Sequence, residues 1–473
     1  MIRLKIPLLA TLNLFSALIA GFIISSDLAA QTEDPLVLAR VEVITQTVID
    51  LPTYASLQDA GKGDYLLVIA PIERLRSSHL AYRILDWQVT RASDYVVALE
   101  RRAGARAQAS RSFSILHDDG RQIVVRLPFD QADALAKLGF NLNRLSDKPN
   151  SSRVLPLLWV QAAAMPDPAV ASLLDRIQQT AVYDYTGQLS GELAVLISGT
   201  PFTITTRHTN SGLPIQKATE YLYEKFRALG LSVHYHNWIA CNLSNRNVIG
   251  EKRGSVRPDE IILITAHLDD LPSSGTTPGA DDNASGSVGV WLTAETLRSN
   301  LFQRTVRFVF FTGEEQGTCG SQKYAELLND LNENVVAVFN MDMIGWDAIK
   351  GPTLRLYTRT PTNPGYPGDR AIADTFVNVV NAYGLDGSLT PIISPTGLSG
   401  SDHSAFWNQG YPAVLAIEDD LNDFDTQYHA PDDRLQFLNL TYFTNFIKAA
   451  VGTIAHLALL ENNRVYLPLI LSF

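Results

Sequence analysis

The sequence lacks any dense run of lysine or arginine. Its 38 basic residues are outnumbered by 49 acidic ones, which gives a formal net charge of −11. A protein that binds nucleic acid or an anionic membrane surface needs a concentrated positive patch to hold the phosphates. The absence of such a run argues against both kinds of partner, and a small-molecule or peptide substrate fits the composition better.

Cysteine is scarce as well, because only Cys241 and Cys319 occur among 473 residues. Neither belongs to a C-x-x-C motif, the spacing that is typical of metal and redox sites. In an oxidising compartment the two thiols can form a disulfide, and two buried, inert thiols are the alternative. The sequence leaves both possibilities open.

The longest apolar run lies at the start of the chain. A basic opening, Met1–Lys5, precedes an apolar stretch from Ile6 to Ile24 and small residues up to Ala30. This order is typical of a secretory signal, so we expect residues 1–30 to be a signal peptide and the mature protein to be secreted or periplasmic, without stable membrane insertion. A retained transmembrane anchor is the alternative, because the run is nearly long enough to cross a bilayer.

Residues 31–150 contain a repeated pattern of strand, proline, helix and strand. One copy begins at Asp64–Pro71 and the other at Arg121–Pro128. The copies agree in pattern more than in identity, so chance similarity is the alternative to duplication. No His/Cys/Asp cluster of ligand type occurs in this region. We expect a small α/β pro-domain that assists folding or covers the site until export, with a permanent accessory domain as the alternative.

A polar, proline-bearing linker is expected at residues 151–169, and from 170 to 462 apolar strands alternate with helical stretches. This alternation predicts an α/β fold with a mostly parallel mixed sheet and helices on both faces. In such sheets the ligand site lies at the carboxyl ends of the strands. The short apolar tail, residues 463–473, can be an edge strand or a sorting signal.

Residues that bind metals follow the apolar strands of this larger region. They are His267, Asp282, Glu315, Asp342 and His429. If one of the three carboxylates bridges, the set supplies three ligand positions to each of two metal ions. Mixed nitrogen and oxygen ligands favour two zinc ions, which cobalt or manganese can replace. Helix capping or solvent exposure would explain one such carboxylate, but not five residues at successive strand ends.

Two further carboxylates, Glu314 and Asp269, are left for other roles. Two neighbouring metal ions lower the pKa of a bridging water and hold both the attacked and the departing atoms. Glu314 suits the general base that takes the proton of this water and passes it to the leaving amine. Asp269, which follows His267 by two residues, suits the task of orienting that imidazole.

The motifs around these residues form a specific set when taken together. In chain order they are H-L-D (267–269), G-A-D-D-N-A-S-G (279–286), G-E-E-Q-G (313–317), N-M-D-M (340–343) and Y-H-A-P-D-D (428–433). This set resembles that of the di-zinc aminopeptidase family, of the secreted bacterial leucyl aminopeptidase type, to which glutamate carboxypeptidase, glutaminyl cyclase and the transferrin receptor are related. The resemblance covers about residues 170–460.

The resemblance implies the roles of the metal ligands. Asp282 would bridge the two zinc ions, with Glu315 and His429 on one ion and His267 and Asp342 on the other. The sequence departs from the family at Gly400, where some secreted members carry a tyrosine that helps to hold the oxyanion. That task is then left to the metal, to another side chain such as Tyr428, or to backbone N–H groups.

These features favour an exported, metal-dependent aminopeptidase that acts on peptides with a free N-terminus. A carboxypeptidase of the same fold would need a basic cluster for the terminal carboxylate, and residues 394–433 contain no suitable one. A glutaminyl cyclase needs only one metal ion. A non-catalytic binding protein is the remaining alternative, but such proteins usually lose ligands. The sequence predicts neither the side-chain preference nor the oligomeric state.

Overall fold

A computed structural model describes residues 34–43, 50–59, 63–151, 166–272 and 276–461. The expected signal peptide, the C-terminal tail and most of the expected linker lie outside the described residues. Within the described ranges, no helix is both long and apolar enough to cross a membrane. The described residues from Pro35 onward form one compact unit.

The N-terminal part of the chain contains two four-stranded antiparallel sheets. The elements of the first repeat (residues 36–86) are β1 (Leu36–Glu42), β2 (Thr53–Asp59), β3 (Gly63–Pro71), α1 (Ile72–Ser77) and β4 (Tyr82–Asp86). The elements of the second repeat (residues 95–145) are β5 (Tyr95–Glu100), α2 (Ala105–Ser112), β6 (Ile115–Asp118), β7 (Gln122–Arg126), α3 (Ala132–Ala136) and β8 (Phe140–Arg144).

The two repeats share one topology. The strand orders are β2-β3-β1-β4 and β6-β7-β5-β8, and a helix follows the third strand in each. This agrees with the repeat predicted from the sequence, whose copies begin at β3 and at the start of β7. In both copies a proline, Pro71 or Pro128, is the extended residue directly before the helical turn.

The larger region contains the remaining helices and strands. They are α4 (Pro168–Leu174), α5 (Gln179–Leu189), β9 (Val195–Ile197), β10 (Thr200–Phe202), α6 (Leu213–Ala228), β11 (Ser232–Ala240), β12 (Leu243–Lys252), β13 (Arg257–His267), a kinked turn (Ala280–Ser285), α7 (Gly286–Leu297), β14 (Arg304–Phe311), α8 (Cys319–Asp330), β15 (Asn334–Met341), β16 (Thr353–Tyr357), α9 (Tyr366–Ala382), β17 (Thr390–Ser394), α10 (His403–Asn408), β18 (Ala413–Glu418) and α11 (Leu440–Leu457).

Eight of these strands form a mixed sheet in the order β11-β12-β14-β13-β15-β18-β16-β17. The four strands in the middle, β14, β13, β15 and β18, run parallel. Strands β11 and β12 add an antiparallel edge, and β16 is antiparallel to β18. The predicted mostly parallel mixed sheet is confirmed.

Helices cover both faces of this sheet, as predicted. Along β13, Ile262 and Ile264 pack into the apolar cluster that includes α7 and α11. The alternate residues Ile261 and Leu263 pack into a second cluster with α8 and α10. Because successive side chains of a strand point to opposite faces, a central strand buried on both sides has a continuous apolar sequence.

Cys241 and Cys319 form a disulfide, so the structure selects the first of the two possibilities that the sequence leaves open. Cys241 lies in the turn between β11 and β12, and Cys319 is the first residue of α8. The bond spans a sequence separation of 78 residues. It ties the antiparallel edge of the sheet to the helix that follows the paired glutamates.

Replacing both cysteines with alanine should lower the free energy of unfolding by about 2–4 kcal/mol, because the cross-link restricts the unfolded chain. Denaturant titration of the variant and the wild type without reductant measures this difference. Added reductant should lower the stability of the wild type but not of the variant. Equal stability of the two proteins without reductant would contradict the prediction.

Candidate metal centre

Three adjacent parallel strands bring ligand-type residues to one edge of the sheet. Strand β13 ends at His267, β14 is followed by the turn that carries Glu314 and Glu315, and β15 ends directly before Asp342. Because the strands pair in the order β14-β13-β15 and run parallel, their carboxyl ends meet at the same edge.

Asp282 reaches this edge from the kinked turn before α7, in which Asp282 and Asn283 have non-helical backbone angles. The carboxylate of Asp433 accepts hydrogen bonds from the backbone N–H groups of Asp281, at 2.8 Å, and Asp282, at 2.9 Å. The side chain of Asn283 accepts the N–H of Gly286 at 2.8 Å. Asn283 therefore acts as an N-cap, and the first helical turn begins at Ala284, directly before the residues assigned to α7.

The five predicted ligands are close together and divide into two groups. His267 Nε2 lies 3.1 Å from Asp342 Oδ1 and 3.4 Å from Asp282 Oδ1. His429 Nε2 lies 3.0 Å from Glu315 Oε2 and 3.3 Å from Asp282 Oδ2. The two carboxylate oxygens of Asp282 therefore face different histidines. All five residues are buried, and the most exposed, His429, is only 8% exposed.

These separations fit metal ligands. Ligand atoms bonded to a tetrahedral zinc at 2.0–2.1 Å are about 3.3 Å apart. Although His429 Nε2 and Glu315 Oε2 approach to 3.0 Å, neither His429 Nε2 nor Glu315 Oε1 has a hydrogen-bond partner among the described residues. Buried polar atoms that converge without satisfying one another fit a shared cation, and the five residues can hold two.

The electrostatics of the cluster also favour a bound cation. Burial and the charge of Asp282 raise the pKa of Glu315 to about 8, against the opposing effect of His429. Burial lowers the pKa of His429, but Glu315 and Asp282 outweigh this and raise the pKa to about 10. Burial also raises the pKa of the nearby Asp402 to about 7. So many buried carboxyl groups require compensating positive charge, which divalent cations supply.

Glu314 lies beside this cluster without joining it. Its side chain is buried, and its Oε1 has no hydrogen-bond partner within the described part of the chain. Burial raises the pKa of Glu314 well above its usual range; His267 opposes this shift and the carboxylate of Asp402 reinforces it. A carboxyl group of this kind, next to ligands but not paired with one, is suited to proton transfer.

Asp269 contacts both His267 and the paired glutamates. His267 Nδ1 lies 3.1 Å from the backbone carbonyl oxygen of Asp269 and 3.8 Å from its carboxylate, so the carbonyl makes the closer contact with the imidazole. The carboxylate accepts the N–H groups of Glu314, at 3.3 Å, and Glu315, at 3.2 Å. It also accepts the hydroxyl of Thr209 at 2.8 Å. Asp269 therefore links the end of β13 to the turn after β14.

A chain of hydrogen bonds that the sequence reasoning missed orients Asp342. Ser401 Oγ donates to Asp342 Oδ2 at 2.6 Å, and Asn340 Nδ2 donates to Ser401 Oγ at 3.0 Å. Thr265 Oγ1 in turn donates to the side-chain oxygen of Asn340 at 2.7 Å. Asn340 and Ser401 belong to motifs visible in the sequence, but their role depends on the pairing of distant segments.

Solved structures share this fold. The LapA aminopeptidase of Legionella pneumophila is 19% identical, with a TM-score of 0.59, and the likeness covers 77% of this chain and 98% of that one. BSAP, a zinc aminopeptidase from Bacillus subtilis, is 16% identical with a TM-score of 0.50, over 61% of this chain and 96% of that one. At these identities the likeness concerns the fold alone.

Comparisons of the sequence also find similarity to aminopeptidases and to a peptidase family. Leucine aminopeptidase 1 of Trichophyton equinum is 29% identical over 214 residues, 43% of this chain and 56% of that protein. Leucine aminopeptidase 1 of Trichophyton rubrum is 28% identical over 229 residues, 46% and 59% of the two chains. The chain thus spans somewhat more than half the length of these relatives. Residues 247–454 match the model of peptidase family M28 and include all five converging residues, so this region of the chain is similar to that family.

Proposed function

We propose that this protein is an exported, metal-dependent aminopeptidase that removes N-terminal residues from peptides with a two-zinc site. The position of Asp282 carries the proposal, because its two oxygens face His267 at 3.4 Å and His429 at 3.3 Å. The family match and the relatives named leucine aminopeptidase support peptides with a free N-terminus as substrates. The disulfide and the signal-like residues 1–30 support export to an oxidising compartment.

The five buried residues would hold the two ions. One zinc would be bound by Glu315 and His429, the other by His267 and Asp342, and Asp282 would bind both. When bound, the two ions polarise the peptide carbonyl and lower the pKa of the attacking water.

The proton transfers are assigned to Glu314. Its buried carboxyl group takes the proton of the attacking water and passes it to the leaving amine. Asp269 keeps Glu314 available for this task, because it holds the backbone N–H groups of both Glu314 and Glu315 at 3.3 and 3.2 Å. Glu315 can then face His429 while Glu314 stays off the ligand set. The hydroxyl of Tyr428 already donates to Asn141 at 3.0 Å, so we assign no oxyanion role to it.

The substrate class can be tested with one peptide in two forms. Purified protein containing two zinc equivalents should release the N-terminal residue from a peptide with a free amine and from aminoacyl-nitroanilides. The same peptide with an acetylated N-terminus should stay intact, and a chelator should abolish cleavage. Cleavage from the C-terminus of the acetylated peptide would favour the carboxypeptidase alternative, and no cleavage of any free-amine substrate would overturn the proposal.

Glu314→Gln should keep both zinc ions and lower turnover by roughly 100-fold or more, because the amide cannot accept the proton. Elemental analysis of the purified variant and nitroanilide hydrolysis measure the two effects. Glu295→Gln is the matched control, since Glu295 accepts a hydrogen bond from Tyr185 on another part of the molecule; it should retain turnover. A fully active Glu314→Gln would show that another group moves the proton.

Metal stoichiometry tests the bridging role. Asp282→Ala should weaken the binding of both zinc ions, whereas Glu315→Gln should weaken the binding of one. The reason is that Asp282 approaches both histidines and Glu315 approaches only His429. In a titration with a competing chelator, there should therefore be a chelator concentration that removes both zinc ions from Asp282→Ala but leaves about one zinc equivalent on Glu315→Gln. Two retained equivalents in Asp282→Ala would contradict the assignment.

A further inference from the structure

The metal centre contains groups from the second repeat, a part of the chain in which the sequence shows no ligand-type cluster. His429 Nδ1 lies 2.9 Å from the backbone carbonyl oxygen of Ala136, at the end of α3. Because Nε2 of the same ring faces Glu315 and Asp282, Nδ1 is the nitrogen that carries the proton donated to this carbonyl. An acceptor of this kind fixes the tautomer and the orientation of a metal-binding histidine.

The residue before this ligand is held by the second repeat as well. The hydroxyl of Tyr428 donates to Asn141 Oδ1 at 3.0 Å, and the backbone oxygen of Tyr428 accepts from Arg102 at 2.9 Å. The ring of Tyr428 stacks on His429 with centroids 3.6 Å apart. The position of Tyr428 therefore constrains the imidazole plane.

The turn that carries the paired glutamates makes a second contact with the same repeat. Arg144 is 1% exposed, and its Nε donates to the backbone oxygen of Gln316 at 3.1 Å. The side chain of Gln316 donates to Asp133 at 3.2 Å. Gly317 has a φ of 117°, and a Cβ at this position would lie 2.6 Å from the Arg144 side chain. The turn thus closes tightly against the arginine.

Apolar packing joins the two regions in both directions. Leu99 of β5 belongs to the cluster formed by Tyr357, Leu415 and Tyr428 of the larger region. Leu271, which follows β13, belongs to the core of the second repeat. A Cβ on Gly400 would lie 2.7 Å from the Leu99 side chain, so Leu99 occupies the space beside the position at which this sequence departs from its family. An interface with a shared core is typical of permanent association.

A buried ion pair completes this interface. Arg101 Nη1 binds Asp420, and their side chains are only 4% and 0% exposed. Removing one partner of such a pair strongly destabilises a protein, because the other charge stays buried. Loss of the second repeat would also expose the apolar surface around Leu99 and remove the acceptors of His429 and Tyr428.

We infer that the second repeat is a permanent part of the working enzyme, and that the Ala136 carbonyl, Asn141 and Arg144 are positioning groups for His429 and the Glu314–Gly317 turn. The inference rests on the proposed zinc site. For residues 95–145, the inference favours the interpretation as a permanent accessory domain over the interpretation as a removable pro-domain.

Full-length variants test the positioning role through zinc affinity. Asn141→Ala should weaken zinc binding roughly 10- to 100-fold, the usual effect of losing a partner that orients a ligand. Tyr428→Phe removes the other half of the same hydrogen bond and should cause a similar loss. Because Asn141 Oδ1 also accepts from Arg101 Nε at 2.7 Å, the double variant should bind zinc no more weakly than Asn141→Ala alone. Asn141→Asp keeps an acceptor for the hydroxyl and should retain zinc affinity.

Arg106→Ala is the matched control within the same repeat. Arg106 pairs with Glu100 and Asp118, which belong to that repeat, so its loss should leave zinc affinity unchanged. Chelator competition gives the affinity of each variant, and thermal denaturation shows whether it is folded. Wild-type zinc affinity in both Asn141→Ala and Tyr428→Phe would overturn the inference.

The mass of the purified protein supplies the second readout. Every active fraction should contain residues 95–145. An active form that lacks them and binds two zinc ions would overturn the inference, as would a rise in turnover when a protease releases them, because either result identifies a removable pro-domain. Failure of the wild type to bind zinc would instead refute the proposed function on which this inference depends.

Discussion

The structure of the site depends on one constraint, which is the burial of several carboxylates around Asp282. Asp282 lies between two histidines, with one oxygen toward each. A buried carboxylate is stable only where hydrogen-bond donors or positive charge replace the lost water. The carboxylate of Asp433 accepts the backbone N–H groups of Asp281 and Asp282, and that of Asp269 accepts the N–H groups of the two glutamates.

Much of this arrangement could be predicted because the central strands are buried on both faces. Their sequences are continuously apolar, so a polar residue at a strand end stands out, as His267 does after Ile261–Ala266. The parallel order then places such residues at one edge. Local backbone geometry was less predictable, because Asp282 and Asn283 depart from helical geometry in a kinked turn before α7 that the residue types do not indicate.

The positioning groups could not be predicted, because most of them act through the backbone or over long distances in the chain. The carbonyl of Ala136 contacts His429 across 293 residues, and a backbone carbonyl has no sequence signature. Spacing placed Asp269 near His267 but could not distinguish its carbonyl from its carboxylate. Gly400 could be recognised as a departure from the motif of the similar family, while the Leu99 side chain that packs beside it lies in a segment without a ligand-type cluster.

The different roles proposed for the adjacent glutamates follow from their contacts and not from any chemical difference between them. Both carboxyl groups are buried, and both backbone N–H groups are held by Asp269. What separates them is the partner each can reach: Glu315 faces His429 at 3.0 Å, and Glu314 keeps an oxygen without a partner among the described residues. His429 is in turn oriented by the second repeat. In the proposed mechanism, the choice of which glutamate binds metal and which moves the proton therefore depends on a part of the chain outside the family match.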